Sequence, residues 1–372
     1  MVEIKEVKSS KEIRDFINFP IKLYKNCEYY VPMLAIGERD IFKPTHPYNK
    51  VCDTFFFNAY RDGKIVGRIQ GIIQRTANEK WGQKRVRFTR FDSIDDQEVA
   101  NGLFDAVRTK AKEKGMTEFV GPLGYSDLER EGLLIEGFNE LGTYEEQYNY
   151  EYYQKLIENY GFVKEIDWVE CKLYPPKEGL EKMLDAGERI LKKYDLTYYQ
   201  PTSIKVFIKK YAHKFFKLID DSYSRLYGTM PLNEEIINSL ISDFKLLVRP
   251  QDVILILDKE DNIKGFGLAF PSISDAVRKS KGRITIPFLF RFLKAKKHPK
   301  VADLGLIGVD HEYESKGVAI AMIGKLIEIL KNSDLDHLET NLMLENNFHI
   351  LNLMKRYDAH YNKRRRCFKM DI

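Results

Sequence analysis

The residues from Gly308 to Ala319 (Gly308-Val309-Asp310-His311-Glu312-Tyr313-Glu314-Ser315-Lys316-Gly317-Val318-Ala319) have the composition of an anion cradle. An apolar strand carrying Leu304, Leu306, Ile307 and Val309 runs into a loop with one glycine, and an apolar helical run to Leu330 follows. Such a junction aims several backbone N–H groups and the positive end of a helix at one spot, which suits a phosphate. The chain has no Ser-His-Asp order, Walker loop or Gly-x-Gly-x-x-Gly, which argues against hydrolase, ATPase and dehydrogenase chemistry. Cys27, Cys52, Cys171 and Cys367 stand far apart, with no Cys-x-x-Cys pair and no histidine at ligand spacing. They read as free thiols in a reducing compartment, with no metal expected.

The elements that must position this cradle belong to a chain too long, at 372 residues, for one ordinary core, so two domains are expected. Charges are well mixed, 60 basic against 55 acidic, and the net +5 favours an anionic small molecule without requiring one. Lys294-Ala295-Lys296-Lys297 and Lys363-Arg364-Arg365-Arg366 read as solvated faces or strand edges. No nucleic-acid signature is present, so no DNA partner is expected. The N-terminus has no apolar signal region, and no apolar run approaches the ~18 residues that span a bilayer. A cytoplasmic protein without a membrane partner is the expectation.

The first half reads as a strand over Val2–Val7 and then a helix opened by Ser9 and Glu12 at capping-box spacing. Thr54–Tyr60 and Lys64–Ile73 form a hairpin across Arg61-Asp62-Gly63, and Val86–Phe91 a third strand. A helix ending near Gly115, a strand over Glu118–Gly121 and a helix over Tyr152–Tyr160 follow. The second half repeats the order: helices over Tyr211–Tyr227 and Asn233–Phe244, then strands over Val253–Leu257 and Gly265–Phe270. A strand over Leu304–Val309, a helix over Val318–Leu330, a strand over His337–Leu342, a helix over Phe348–Tyr357 and a basic strand ending at Met370 complete it. Prolines and a glycine at Pro175-Pro176-Lys177-Glu178-Gly179 mark the join, giving domains 1–175 and 176–372.

Glu314-x-x-Gly317-x-Ala319 resembles the (Gln/Arg)-x-x-Gly-x-(Gly/Ala) signature of the GNAT superfamily of acyl-CoA N-acyltransferases, with glutamate in place of Gln or Arg. The run Asn347–Asp358 is similar to that family's late helix, and Glu151–Phe162 looks like the same helix in the first half. The resemblance implies an α/β fold, with a mixed sheet of α+β type in each of two tandem GNAT-like domains. In the first half the equivalent junction, Asp92–Glu98, has no glycine and four carboxylates, which repel a pyrophosphate. That half is expected to be degenerate.

What the resemblance implies about chemistry is acyl transfer from acetyl-CoA or another acyl-CoA to a small-molecule amine or peptide. The cofactor set it implies is Ile307, Gly308, Val309, Glu314, Ser315, Lys316, Gly317, Val318, Ala319 and Asn347. Gly308 and Val309 lie where the strand lends an N–H to the thioester carbonyl, and Lys316 to Ala319 where amides meet the pyrophosphate. As base it suggests Asp303 on the preceding strand, with Asp310 and Glu312 acting through water. The family's acid is a tyrosine at the position of Met354 here, and Tyr357 lies one turn on. The Gly121–Phe138 loop and Tyr144, Tyr148, Tyr150, Tyr152 and Tyr153 are candidates for an acceptor groove between the halves, or for interface packing. Two further readings are a non-catalytic acyl-CoA or small-molecule sensor and, behind it, aminoacyl transfer from tRNA. Neither the acceptor, the acyl chain nor the oligomeric state follows from the sequence.

Overall fold

The computed structural model describes the whole chain, Met1 to Ile372. Its first helix begins as the sequence dictates: the Ser9 hydroxyl accepts the Glu12 N–H (3.3 Å) and the Glu12 carboxylate accepts the Ser9 N–H (2.7 Å). The strands are β1 (Glu3–Glu6), β2 (Cys52–Arg61), β3 (Lys64–Gln74), β4 (Arg85–Ser93), β5 (Glu118–Gly121), β6 (Leu133–Glu136), β7 (Val163–Tyr174), β8 (Thr197–Tyr199), β9 (Val253–Leu257), β10 (Ile263–Pro271), β11 (Val301–Val309), β12 (His337–Thr340), β13 (Met343–Leu344) and β14 (Asp358–Asp371). The helices are α1 (Ser10–Leu23), α2 (Ala35–Asp40), α3 (Arg75–Trp81), α4 (Gln97–Glu113), α5 (Tyr152–Tyr160), α6 (Leu180–Lys193), α7 (Ile204–Lys210), α8 (Ala212–Tyr223), α9 (Glu234–Leu247), α10 (Ser274–Ser280), α11 (Ile286–Lys297), α12 (Val318–Lys331) and α13 (Phe348–Met354). No helix is long and apolar enough to cross a membrane.

The chain divides into two compact units. One comprises Met1–Val169, Ile273–Phe292 and Lys363–Ile372, the other Glu170–Ser272 and Leu293–Asn362. In the first, β1, β2, β3 and β4 pair antiparallel in sequence order, β4 and β5 run parallel, and the end of β14 pairs antiparallel with β5. The connection from β4 to β5 runs through α4, as parallel strands require. Here α4 lies so close to β3 that a Cβ at Gly67 would stand 2.8 Å from Val99 Cγ1, and one at Gly71 2.8 Å from Val107 Cγ1. Under it sits a core built on Phe88, Phe91, Phe104, Phe119 and Phe162.

In the second unit the order is β7, β12, β11, β10, β9, β8, with β11 and β12 parallel and the other neighbours antiparallel. The crossover between β11 and β12 is α12. The parallel pair covers only Val301–Leu304 against His337–Thr340, so β11 runs on to Val309 without a partner on that side. Two expected helices stop early: α8 ends at Tyr223 and α13 at Met354. Beyond α13 the Tyr357 ring turns into the core, and continuing the helix would give up that burial. A short 3-10 turn, His311–Lys316, stands between β11 and α12, because Gly317 takes a left-handed φ of 80° that an unbroken helix cannot contain.

Candidate functional site

The site is built on the unpartnered end of β11. Its register against β10 steps between Leu268 and Ala269, passing over Gly305; beyond that bulge Gly267 faces Ile307 and Phe266 faces Gly308. Peptide groups alternate along a strand, so every second one turns from β10 to the side that β12 leaves open. On that edge the Gly305 carbonyl accepts from Asn341 Nδ2 (3.3 Å). Next, the Tyr223 hydroxyl at the end of α8 donates to the Ile307 carbonyl (3.0 Å) and accepts the Ile307 N–H (3.3 Å). One hydroxyl thus fills both hydrogen-bonding positions that the amide of an extended ligand would use. Val309 follows on the same edge, whereas the alternation turns Gly308 towards β10.

Past Val309 the chain makes its 3-10 turn and enters α12 at Gly317. The N–H groups of Gly317, Val318 and Ala319 have no acceptor; the first recorded bond is from Ile320 N–H back to the Gly317 carbonyl (2.9 Å). Three free donors at the positive end of a 14-residue helix make an anion site in physical terms. A Cβ on Gly317 would stand 3.0 Å from Ile190 Cδ1, so α6 backs the turn closely.

Each carboxylate of this loop has a side-chain partner. Asp310 bonds Lys264 Nζ (3.1 Å) and caps the Glu312 N–H (3.0 Å). Partial burial disfavours the Lys264 ammonium, yet the Asp310 carboxylate keeps its pKa above the ordinary value. Exposed Glu312 pairs with Lys316 (3.2 Å), whose ammonium also lies over the Tyr313 ring. Glu314 meets His311 Nδ1 at 2.6 Å, while His311 Nε2 donates to the Asp221 carbonyl (2.9 Å). The negative charge that the sequence places at this cradle is therefore turned onto His311. Ser315 is exposed. Beside the turn opens a cleft of about 370 Å³ lined by Leu218, Asp221, Ser224, Arg225, Asp310 and His311.

The remaining candidates lie elsewhere in the unit. Asp303 is fully buried opposite Phe270, in the paired part of β11. Phe270 shares a sheet face with Phe266, which α8 covers through Phe215 at a ring distance of 4.9 Å. Asn347 spends its side chain on capping α13, accepting the Ile350 N–H at 3.3 Å. Tyr357 is buried, its hydroxyl has no hydrogen-bond partner, and burial beside Cys171 of β7 pushes its pKa well above the phenol range. Met354 is buried too.

No family model matches the chain. Among solved structures, the tandem GNAT protein from the clavulanic acid biosynthesis pathway aligns over all of this chain and 98% of its own, at 10% identity and a TM-score of 0.55. The chain has a tandem GNAT fold. A GCN5-related N-acetyltransferase from Sphaerobacter thermophilus shares the fold at a TM-score of 0.51 and 10% identity, covering 100% of this chain and 95% of its own. Two curated proteins are similar in sequence. Protein YghO of Escherichia coli is 26% identical over 98% of this chain and 94% of its own length. The bacterial ceramide synthase of Caulobacter vibrioides is 24% identical over 83% of this chain and 80% of its own.

Each unit of the tandem GNAT fold has a strand-to-helix junction, and the two differ in chemistry. In the first unit Asp92 is buried against Arg68 Nε (2.8 Å), and Asp96 and Glu98 both bind Arg61. The strand end is filled by tyrosines, with Tyr153 Oη accepting the Ser93 N–H (3.2 Å) and Tyr152 Oη donating to the Ser93 carbonyl (2.7 Å). In the second unit, sequence reasoning reached the loop but missed Tyr223, Arg225 and Asn341. Nothing in their local pattern marks them, because folding brings them to β11 from 36 to 84 residues away in the bonds cited for Asn341 and Tyr223.

Proposed function

We propose that the protein transfers an acyl group from an acyl-CoA to a primary amine, with the acyl-CoA lying along the open edge of β11 and its pyrophosphate on the N-terminus of α12. The observation that carries this reading is the set of free N–H groups at Gly317, Val318 and Ala319, next to a strand edge that ends in an available Val309 peptide. In the reaction the amine nitrogen attacks the thioester carbonyl, a C–N bond forms, the C–S bond breaks, and the amine proton must leave. The Val309 N–H would polarise the carbonyl. Of the carboxylates, Asp310 both follows the strand end and lines the cleft, where it bonds Lys264 Nζ, and it is the one placed to take the amine proton. A thiolate is a fair leaving group, so a hydroxyl at the position of Met354 is dispensable.

The similarity to a protein named for ceramide synthesis points to a long-chain amino alcohol as acceptor, since a ceramide is the N-acylated form of one. In the first unit, carboxylates held by arginines and tyrosines seated on Ser93 support a role other than acyl-CoA binding. A second reading, an acyl-CoA-binding protein without turnover, is favoured by Tyr223, which occupies Ile307 where a ligand amide would sit. The test is incubation with long-chain and short-chain acyl-CoAs and a sphingoid base, followed by mass spectrometry of the lipid extract. An N-acyl product that requires the protein supports transfer. Stoichiometric acyl-CoA binding with no amide from any pairing favours the second reading.

A further inference from the structure

Helix α11 is a surface helix turned inside out. Thr285 Oγ1 accepts the Phe288 N–H (3.3 Å) and opens it, and the Phe288 and Phe292 rings, 5.7 Å apart, mark its packed side. The opposite side carries Ile286, Leu289, Phe290 and Leu293, at the i, i+3, i+4, i+7 positions of one face. This apolar face is bare: Ile286 is 72% exposed, Phe290 71% and Leu293 60%, and Ile284 just ahead of the helix is exposed as well. Lys296 Nζ donates to the Leu246 carbonyl (2.6 Å), setting another exposed leucine beside the helix end.

Along the sequence, the charges of this segment have one sign. From Ala276 to Ala302 the chain carries nine basic residues and no acidic one, although it has 60 basic and 55 acidic residues overall, so the remainder is net acidic. Arg278 and Lys279 are held by Asp275. Arg291, Lys294 and Lys297 are exposed on α11 itself, Lys294 beside the apolar stripe and Lys297 beyond its end, and no carboxylate is paired with them.

We propose that α11 is an in-plane membrane anchor, its apolar stripe entering the interface of an anionic lipid surface while Arg291, Lys294 and Lys297 bind the headgroups. A bare apolar stripe with unpaired cations beside it and beyond its end is the pattern such helices need, with long basic side chains reaching up to phosphates as the stripe sinks. A second copy of the chain is a poorer occupant, because it would bring the same cations face to face with no acidic residue in the segment to meet them. The proposal goes beyond the acyl-transfer reading and does not rest on it, since binding to lipid is read without substrate.

The test is flotation of the full chain with vesicles of phosphatidylcholine alone and of phosphatidylcholine with phosphatidylglycerol. Wild type is expected to float with the anionic vesicles, weakly with the neutral ones, and less as salt rises. Phe290→Ser with Leu293→Ser, and separately Arg291→Glu with Lys294→Glu, should each lower the bound fraction roughly tenfold. All four side chains are exposed, so the wild-type melting temperature should be kept. Wild type remaining in the soluble fraction with anionic vesicles overturns the proposal, as does equal binding by both variants. So does a lipid-free dimer, seen by analytical ultracentrifugation, that Phe290→Ser with Leu293→Ser converts to monomer, since the face is then an interface between copies.

Discussion

Substitution of Gly317 separates the backbone role of this residue from its place in an anion site. Gly317 holds a φ of 80°, and the atom nearest a Cβ there would be the flexible Cδ1 end of Ile190, at 3.0 Å. Gly317→Ala should therefore cost mainly the left-handed backbone energy of an L-residue, about 1–2 kcal/mol. For a domain of this size that lowers Tm by about 2–8 °C. Gly317→Glu carries the same backbone cost, offset by about 0.3–1 kcal/mol as its carboxylate meets the positive end of α12. The ligand-free variants should thus melt close together. With coenzyme A at a hundred times its Kd, binding stabilises wild type by about 2.7 kcal/mol, a rise of roughly 5–10 °C. In Gly317→Glu the new carboxylate occupies the pyrophosphate position, and the rise should vanish; Gly317→Ala should keep most of it. Differential scanning fluorimetry across a coenzyme A titration reads all three proteins. A ligand shift of wild-type size in Gly317→Glu refutes the placement of the pyrophosphate.

Three further outcomes follow from particular side chains. Tyr223→Phe removes the hydroxyl that competes for the Ile307 peptide, and with a net ~0.5–1.5 kcal/mol for each of its two hydrogen bonds, acyl-CoA should bind about 5- to 100-fold tighter by calorimetry; weaker or unchanged binding speaks against a ligand on that edge. Tyr357→Phe deletes a buried hydroxyl with no partner, so it should leave turnover unchanged and raise stability by about 1 kcal/mol in urea unfolding, whereas a fall in kcat would restore Tyr357 as an acid. His46, in the first unit, is pushed down to about 4 by burial, with Arg90 adding to the effect. The unfolded chain takes up that proton first, so stability drops as pH falls from the ordinary histidine range to about 4. His46→Asn should flatten the urea midpoint between neutral pH and about pH 5, and a slope like that of wild type contradicts the assignment. The buried Glu129 and Glu131 carboxyls, raised chiefly by burial, act in the opposite sense and are left in place by this substitution.

What the sequence made legible is what local physics controls. The Ser9–Glu12 cap, the hairpin across Asp62-Gly63 and the stop of α5 at left-handed Gly161 are each fixed by neighbours a few residues apart. The turn at left-handed Gly317 and the start of α12 were legible for the same reason. Strand membership was not: the basic strand ending at Met370 reads as the last of the second half, yet Phe368–Asp371 pairs with β5, and Lys363–Ile372 belongs to the first unit. That choice depends on long-range register, which alternation along one strand does not encode. Helix α11 has the apolar spacing of a core helix, but Ile286, Leu289, Phe290 and Leu293 face outward, so its pattern says nothing of any core. The roles suggested for Asp303 and Tyr357 rested on offsets along the chain. Burial of Asp303 in the paired part of β11, and of Tyr357 beside Cys171, depends on how strands stack in space.

Hydrogen–deuterium exchange with and without coenzyme A reads both strand-to-helix junctions in one experiment. If coenzyme A binds at the N-terminus of α12, exchange slows over Gly305–Ile320, most strongly at Gly317, Val318 and Ala319, with no change over Asp92–Val99. Protection confined to Asp92–Val99, or no protection at either junction at saturating ligand, would contradict it.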